Sequence, residues 1–178
     1  DYTSVGGTVV MSIADNTDSQ TLTIPVLDDG LFESTETIIS RVSSSSNPNV
    51  TITTNTATAN IIDDESINAS LSVSTDGNET GPVDIVYTVT LSADNNTGIP
   101  ITFEFDDLLT GTASSGIDYT AVGAADQISV ADGAISGTYT ITVADDLTFE
   151  ADETVNIRIS GSSDPDVNII TNEATANI

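Results

Sequence analysis

One acidic segment of this chain occurs twice. Residues 26–37 (VLDDGLFESTET) recur as residues 143–154 (VADDLTFEADET), and the tripeptide DYT at residues 1–3 recurs at residues 118–120. The chain contains no His and no Cys, so neither an imidazole nor a thiol can serve these carboxylates in catalysis. Carboxylate oxygens are instead the ligands that hard cations such as Ca²⁺ prefer. The sequence therefore predicts cation binding, and we do not expect an enzyme.

The net charge supports this prediction. The formal charge is −26, with 28 acidic residues against two basic ones, Arg41 and Arg158. Such a chain repels nucleic acids and anionic membrane surfaces and attracts cations. General acidic solubilisation is the alternative explanation, but it does not account for acids that recur at equivalent positions of a repeat.

The elements that must position these acids are organised as a repeat. Its period is about 117 residues, without gaps, which is the size of a whole domain. Residues 66–178 form one nearly complete unit, and residues 1–65 form the second half of another. We expect residues 1–65 to be an excerpt of a longer array, poorly ordered alone, or to be completed by another chain. Residues 118–178 should repeat the strands of residues 1–61 in the same order.

Apolar residues alternate with polar ones in several short segments, which predicts half-buried β-strands. The clearest examples are residues 22–26, 85–91, 101–105, 139–143 and 155–159. Clusters of Gly, Asn, Asp and Ser separate these segments, as turns require. About seven strands in about 110 residues indicate an all-β, antiparallel β-sandwich.

Three further expectations concern single positions. Tyr2 and Tyr119, at equivalent positions, should be core or corner residues. Arg41 and Arg158, also equivalent, should form surface ion pairs, with a contact between repeats as the alternative. The junction at residues 61–66 is short, acidic and free of Gly and Pro, so it should not be a floppy linker.

These motifs, in this order and duplicated, resemble the Calx-beta domain. The resemblance rests on Asn78-Glu79-Thr80-Gly81, on residues 111–120 (GTASSGIDYT), on the acidic segment at 145–154, and on residues 57–64 (ATANIIDD). It implies an immunoglobulin-like β-sandwich, of the kind found in sodium–calcium exchangers and in tandem in large bacterial surface proteins.

In calcium-binding members, the resemblance implies a cluster of ligands at one end of the sandwich. Matching the motifs position by position gives a candidate set for each repeat. For the second repeat the candidates are Glu79, Asp118, Asp145, Asp146, Glu150 and Glu153. For the first repeat and the junction they are Asp1, Asp28, Asp29, Glu33, Glu36, Asp63, Asp64 and Glu65.

The functional hypothesis follows from the repeat and its acids. We expect a stalk or filament segment of an extracellular or cell-surface, adhesin-like protein, stiffened by Ca²⁺. Its partners would be adjacent repeats of the same chain and neighbouring chains in a filament, with no nucleic acid and no membrane insertion. Two alternatives stay open: an adhesion module that binds a glycan or a protein, and a calcium-sensing regulatory domain of a transporter.

Overall fold

A computed structural model of the protein describes residues 1–145 and 148–178. The chain divides into two compact units. The first unit comprises Asp1–Leu31 and Thr35–Asp63, and the second comprises Phe32–Ser34 and Asp64–Ile178. Within the described residues, no helix has the length and apolar character that a membrane span requires.

Within residues 1–145 and 148–178, ten β-strands form three sheets. The strands are β1 (Glu36–Arg41), β2 (Thr56–Ile61), β3 (Ile67–Thr75), β4 (Ile85–Leu91), β5 (Ile101–Asp107), β6 (Gln127–Val130), β7 (Ser136–Ile141), β8 (Thr154–Ser162), β9 (Val167–Thr171) and β10 (Glu173–Asn177). β1 and β2 belong to the first unit, and β3 to β10 belong to the second.

The second unit is a β-sandwich. One sheet has the order β10-β8-β5-β6 and the other has the order β7-β4-β3-β9. The alternating apolar residues of both sheets face a shared core, as the period-2 pattern predicts. The core's largest fully buried side chains are Tyr87, Phe103, Ile85, Ile101, Ile128, Ile141, Ile157 and Ile159. The buried hydroxyl of Tyr87 donates to the carbonyl of Val155 on the opposite sheet, at 2.8 Å.

The sandwich is not purely antiparallel. β9 pairs with β3 in parallel, with Ile67 opposite Val167 and Ala69 opposite Ile169. The chain leaves one sheet at the end of β8 and crosses to the other through the turn at residues 163–166. The crossing brings β9 to the free edge of β3 in the same direction, which periodicity alone does not specify.

The first unit contains only the strand pairs that lie wholly inside the half-repeat. β1 pairs with β2 in the register of β8 with β10: Thr37 opposes Asn60 just as Thr154 opposes Asn177. Tyr2 bridges Val26 as Tyr119 bridges Val143. The strands that would correspond to β6, β7 and β9 are absent from this fully described unit. In the second unit they pair with β5, β4 and β3, for which residues 1–65 have no counterparts.

Predictions for the first unit are therefore wrong at three points. Residues 1–61 do not repeat every strand of residues 118–178, because β6, β7 and β9 have no counterparts there. Residues 22–26 do not form a half-buried strand, because Leu22 and Val26 are exposed and only Val26 makes a bridge. Tyr2 is not a core residue, since it is 43% exposed, whereas Tyr119 is 2% exposed. All three differences have one cause: this unit lacks the strands that would pair with these segments and cover these side chains. Of its residues, all of which the structure describes, none is buried.

Candidate metal centre

Three loops meet at one end of the second unit's sandwich. They follow β3 (residues 76–84), follow β5 (residues 108–126) and connect β7 to β8 (residues 142–153). Each contributes candidate ligands. Because β3, β5 and β7 all end at this side and β8 starts there, the fold gathers carboxylates that lie far apart in sequence.

The carboxylates of Glu79, Asp118 and Glu150, one from each loop, converge. Each offers one oxygen, and these oxygens lie within 4.8 Å of one another. Asp118 is 2% exposed, Glu79 is half-buried and Glu150 is exposed. The cluster therefore runs from the protein interior to the solvent.

Glu153 joins this cluster through Asp118. Its side chain hydrogen bonds to Asp118, and its Oε2 is buried with no hydrogen-bond partner among the residues that the structure describes. Burial raises the pKa of Glu153 above its ordinary value of 4.5, and the hydrogen bond and charge of Asp118, then the charges of Glu150 and Glu79, raise it further. An unpartnered, desolvated carboxylate oxygen beside three other acids destabilises the protein unless a cation or a proton compensates it.

Backbone hydrogen bonds fix Asp118 in its loop. The amide of Ser114 donates to Asp118 Oδ2, and the amides of Ile117 and Asp118 both donate to the carbonyl of Ser114, at 3.0 Å. The carbonyl of Asp118 in turn accepts from the amide of Ala144, at 2.8 Å, which ties the loop to the segment after β7. The position of this carboxylate is therefore set by backbone geometry.

The neighbouring tyrosine anchors the same loop in the sandwich. The Tyr119 hydroxyl donates to Asp107 Oδ2 at 2.7 Å, at the end of β5. Burial, and secondly this hydrogen bond, raise the pKa of Tyr119 to about 12, so the hydroxyl remains a donor at neutral pH. Sequence reasoning predicted that Tyr119 is buried but did not find its partner Asp107.

A close backbone contact holds Glu153 against the Asp118 loop. The carbonyl of Thr154 accepts from the amide of Ala113 at 3.1 Å, and the Thr154 amide donates to Thr112 Oγ1 at 2.9 Å. Gly111 makes this approach possible, because a Cβ at that position would lie 2.0 Å from the Thr154 carbonyl oxygen. The residue before this clamp is Glu153. Sequence analysis placed Gly111 and Thr112 in a motif without recognising that they position a ligand.

The loop that carries Glu79 is tied to the opposite sheet. Asp76 Oδ1 accepts from the amide of Asn177 at 2.8 Å, and the amide of Gly77 donates to the carbonyl of Asn177 at 2.7 Å. Next to Asn177, Ile178 exchanges backbone hydrogen bonds with Glu153, at 3.0 and 3.1 Å. Glu79 and Glu153 are thus held by the same end of β10.

The remaining candidates of the second repeat are less fully placed. Asp145 is exposed and follows Ala144, whose amide contacts the Asp118 carbonyl. Asp146 lies outside the described residues. Asp64 is exposed and Glu65 is half-buried at the start of the continuous part of the second unit.

In the first unit, the acids equivalent to Asp118 and Glu153 are also close. Carboxylate oxygens of Asp1 and Glu36 lie within 4.8 Å, but both residues are exposed. The amino terminus of Asp1 lies 3.9 Å from Asp29, whose Oδ1 also accepts from the amide of Leu31. Asp28 is exposed. The first unit therefore keeps Asp1 and Glu36 close together, but these acids are not buried as Asp118 is in the second unit.

The remaining candidate ligands are Asp63 and Glu33. Asp63 is half-buried at the end of the first unit. Glu33 belongs to the second unit, where it is half-buried and bridges Asn96. Arg158 forms the expected surface ion pair, with Asp106 at 3.3 Å, whereas the described residues give Arg41 no such pair.

Comparison with known proteins places the chain in a family. The chain matches no curated protein. Among solved structures, it is similar to the apo form of the Calx CBD1 domain, with 26% identity, a TM-score of 0.47, and coverage of 64% of this chain and 96% of that one. It is also similar to CBD12 from CALX1.2, with 24% identity and a TM-score of 0.45, covering 61% of this chain and 43% of that one, less than half its length. The Calx-beta domain family matches residues 1–65 and again residues 69–178, nearly the whole chain. The protein therefore belongs to the Calx-beta domain family, in two successive matches.

Proposed function

We propose that the second unit binds Ca²⁺ at its acidic end and that the chain is a structural segment of an extracellular, adhesin-like repeat protein. The observation that carries the calcium proposal is the buried, unpartnered Oε2 of Glu153, next to Asp118 and within the electrostatic reach of Glu150 and Glu79. Three converging carboxylates and the buried Glu153 beside Asp118 concentrate negative charge that a doubly charged cation would partly neutralise.

The donor set fits calcium. Calcium takes about six to eight oxygen ligands in flexible geometry. Glu79, Asp118, Glu150 and Glu153 offer two carboxylate oxygens each, and the exposed position of Glu150 leaves room for water. Zinc and copper prefer imidazole and thiolate ligands, and the chain contains no His and no Cys.

Bound calcium would supply positive charge where the chain concentrates negative charge. Glu153 would then be ionised without the penalty that now raises its pKa. Since Glu79, Asp118 and Glu150 come from three loops, one ion would link all three and order this end of the sandwich.

Calcium titration tests the proposal. We expect a dissociation constant of roughly 10⁻⁴ to 10⁻³ M, typical of extracellular modules. At a hundredfold excess over that constant, binding adds about 2.7 kcal/mol to the free energy of unfolding. Asp118→Asn should lose most of this increase in thermal melting, while Glu173→Gln, a change at an exposed acid outside the cluster, should keep it. Identical melting of the wild type in calcium and in chelator would refute the proposal.

The structural role rests on the repeat and on the placement of acids at residues 63–65. In repeat proteins stability is nearly local, so bound ions can restrict the angles between units without refolding them. A protein with two whole repeats should give a longer and narrower particle by small-angle scattering with calcium than with chelator. Asp63→Ala combined with Asp64→Ala should abolish the change in shape and preserve the melting of each unit. Equal scattering in both conditions would argue against stiffening.

A further inference from the structure

Two phenylalanines at equivalent positions of the repeat have opposite environments. Phe32 is 3% exposed and belongs to the hydrophobic core of the second unit. Phe149 is 100% exposed. Both rings lie in the duplicated acidic segment, between an Asp-Asp pair and the strand that follows. The second ring therefore lacks the burial that the first ring has.

The surroundings of Phe32 show what such a segment binds. Next to it, Glu33 forms a parallel bridge with Asn96, and the Ser34 hydroxyl donates to the carbonyl of Thr97 at 2.8 Å. The segment Phe32–Ser34 thus lies along the loop between β4 and β5, with its ring in the core. We call residues 94–99 of this loop the acceptor loop.

The acceptor loop is held in shape by one buried amide. Asn95 is 0% exposed, and its Nδ2 donates to the carbonyls of Ile99 and Val130, at 2.9 and 3.1 Å. Its Oδ1 accepts from the amide and the hydroxyl of Thr97, at 3.1 and 2.7 Å. A loop with these bonds satisfied is preorganised, so a docking segment need not order it.

The segment Phe149–Ala151 has the aromatic ring and the backbone groups through which Phe32–Ser34 contacts the acceptor loop. It reproduces the ring of Phe32 and the following Glu, and a parallel bridge needs only backbone groups. Ala151 replaces Ser34, so the hydroxyl contact with the acceptor loop would be lost and the ring would carry most of the affinity.

We propose that Phe149–Ala151 is a docking segment for another Calx-beta unit, one that has an acceptor loop of this kind and no segment of its own filling it. Donor and acceptor are different surfaces of the unit, since the acceptor loop joins β4 to β5 and the donor precedes β8. Such a contact is heterologous and generates head-to-tail arrays. It does not depend on calcium binding.

Disulfide trapping tests the contact, because the chain contains no native Cys. The donor is the full chain with Ala151→Cys. The acceptor is the full chain with Phe32→Ala, Ser34→Ala and Asn96→Cys, which empties its own acceptor loop. A positive control places Ser34→Cys and Asn96→Cys in one chain, where an intrachain disulfide should form. If the acceptor loses its circular dichroism signal, Phe32→Val replaces Phe32→Ala.

We expect a cross-linked heterodimer under mild oxidation. Adding Phe149→Ala to the donor should lower the yield of cross-linked heterodimer about tenfold, the effect of losing one buried aromatic ring. Restoring Phe32 and Ser34 in the acceptor should lower it similarly. A yield that Phe149→Ala leaves unchanged would overturn the proposal, as would absence of the heterodimer when the positive control closes.

Discussion

At the scale of single residues, Glu153 determines the character of the acidic end. Its buried Oε2 has no hydrogen-bond partner, and Asp118, itself buried, lies against it. Without a cation, the two carboxylates repel each other where little solvent can screen them. Under the proposed function, Glu153 lowers the stability of the metal-free protein and favours cation binding, a combination typical of functional sites.

Glu153→Gln should stabilise the metal-free protein and reduce the stabilisation by calcium. The amide keeps the shape and can donate to Asp118, while removing one like charge from the cluster. We expect the melting temperature in chelator to rise by about 2 to 4 °C, and the increase on adding calcium to shrink. Glu173→Gln, at an exposed position of β10, is the matched control and should change neither. A lower melting temperature in chelator would show that the ionised Glu153 is not a source of strain.

The stability of the metal-free protein should fall with rising pH because of Glu153. Because the pKa of Glu153 is raised in the folded state, the unfolded chain loses this proton first as the pH rises. The group's contribution to stability is therefore present below pH 4.5 and is lost as the pH rises through the raised value. Melting curves in chelator should show this loss in the wild type and not in Glu153→Gln. Parallel pH profiles for the two proteins would contradict it.

At the scale of elements, the site depends on how closely two backbones approach. The loop after β5 contacts the start of β8 at Gly111 and Thr154, where a Cβ would clash with the carbonyl oxygen. The two backbones cannot easily move apart, because Ala113 and Thr112 both hydrogen bond to Thr154. The distance between the Asp118 loop and Glu153 is therefore set by a glycine that is not itself a ligand.

Gly111→Ala should force these elements apart. We expect a loss of about 1 to 3 kcal/mol in the free energy of unfolding, as in overpacked sites, together with weaker calcium binding measured by titration calorimetry. Gly161→Ala is the control, because a Cβ there would make only ordinary contacts with the Glu104 carboxylate, at 3.6 and 3.8 Å. Unchanged calcium affinity in Gly111→Ala would separate this clamp from the site.

At the scale of the whole molecule, the two units should differ in local stability. The first unit contains one two-stranded sheet and no buried residue, whereas the second closes two four-stranded sheets over a common core. An isolated strand pair is only marginally stable in water. In hydrogen exchange of a dilute monomer, amides of β1 and β2 should exchange far faster than those of β4. Uniformly strong protection across residues 1–65 would contradict this expectation.

The sequence by itself determined the features that depend on local pattern. Alternation predicted β4, β5, β7 and β8, and the gapless repeat predicted the same strands in both copies, which holds for β1 and β2, paired in the register of β8 and β10. The candidate ligands Glu79, Asp118, Glu150 and Glu153 were named from the resemblance of their motifs to the Calx-beta domain. Such signals survive because side-chain alternation and strand register are properties of neighbouring residues.

Only the tertiary structure decided which copy of each residue is buried. Asp118 and Tyr119 are almost fully buried, whereas their equivalents Asp1 and Tyr2 are exposed, although the tripeptides are identical. Burial requires the strands β3 to β5, which only the second unit has, and these pair with segments 46 to 101 residues away in the chain. Since burial is the first cause of the raised pKa of Glu153, the chemistry of the acidic end is decided by non-local packing, and the equivalent carboxylates Asp1 and Glu36 in the first unit are exposed.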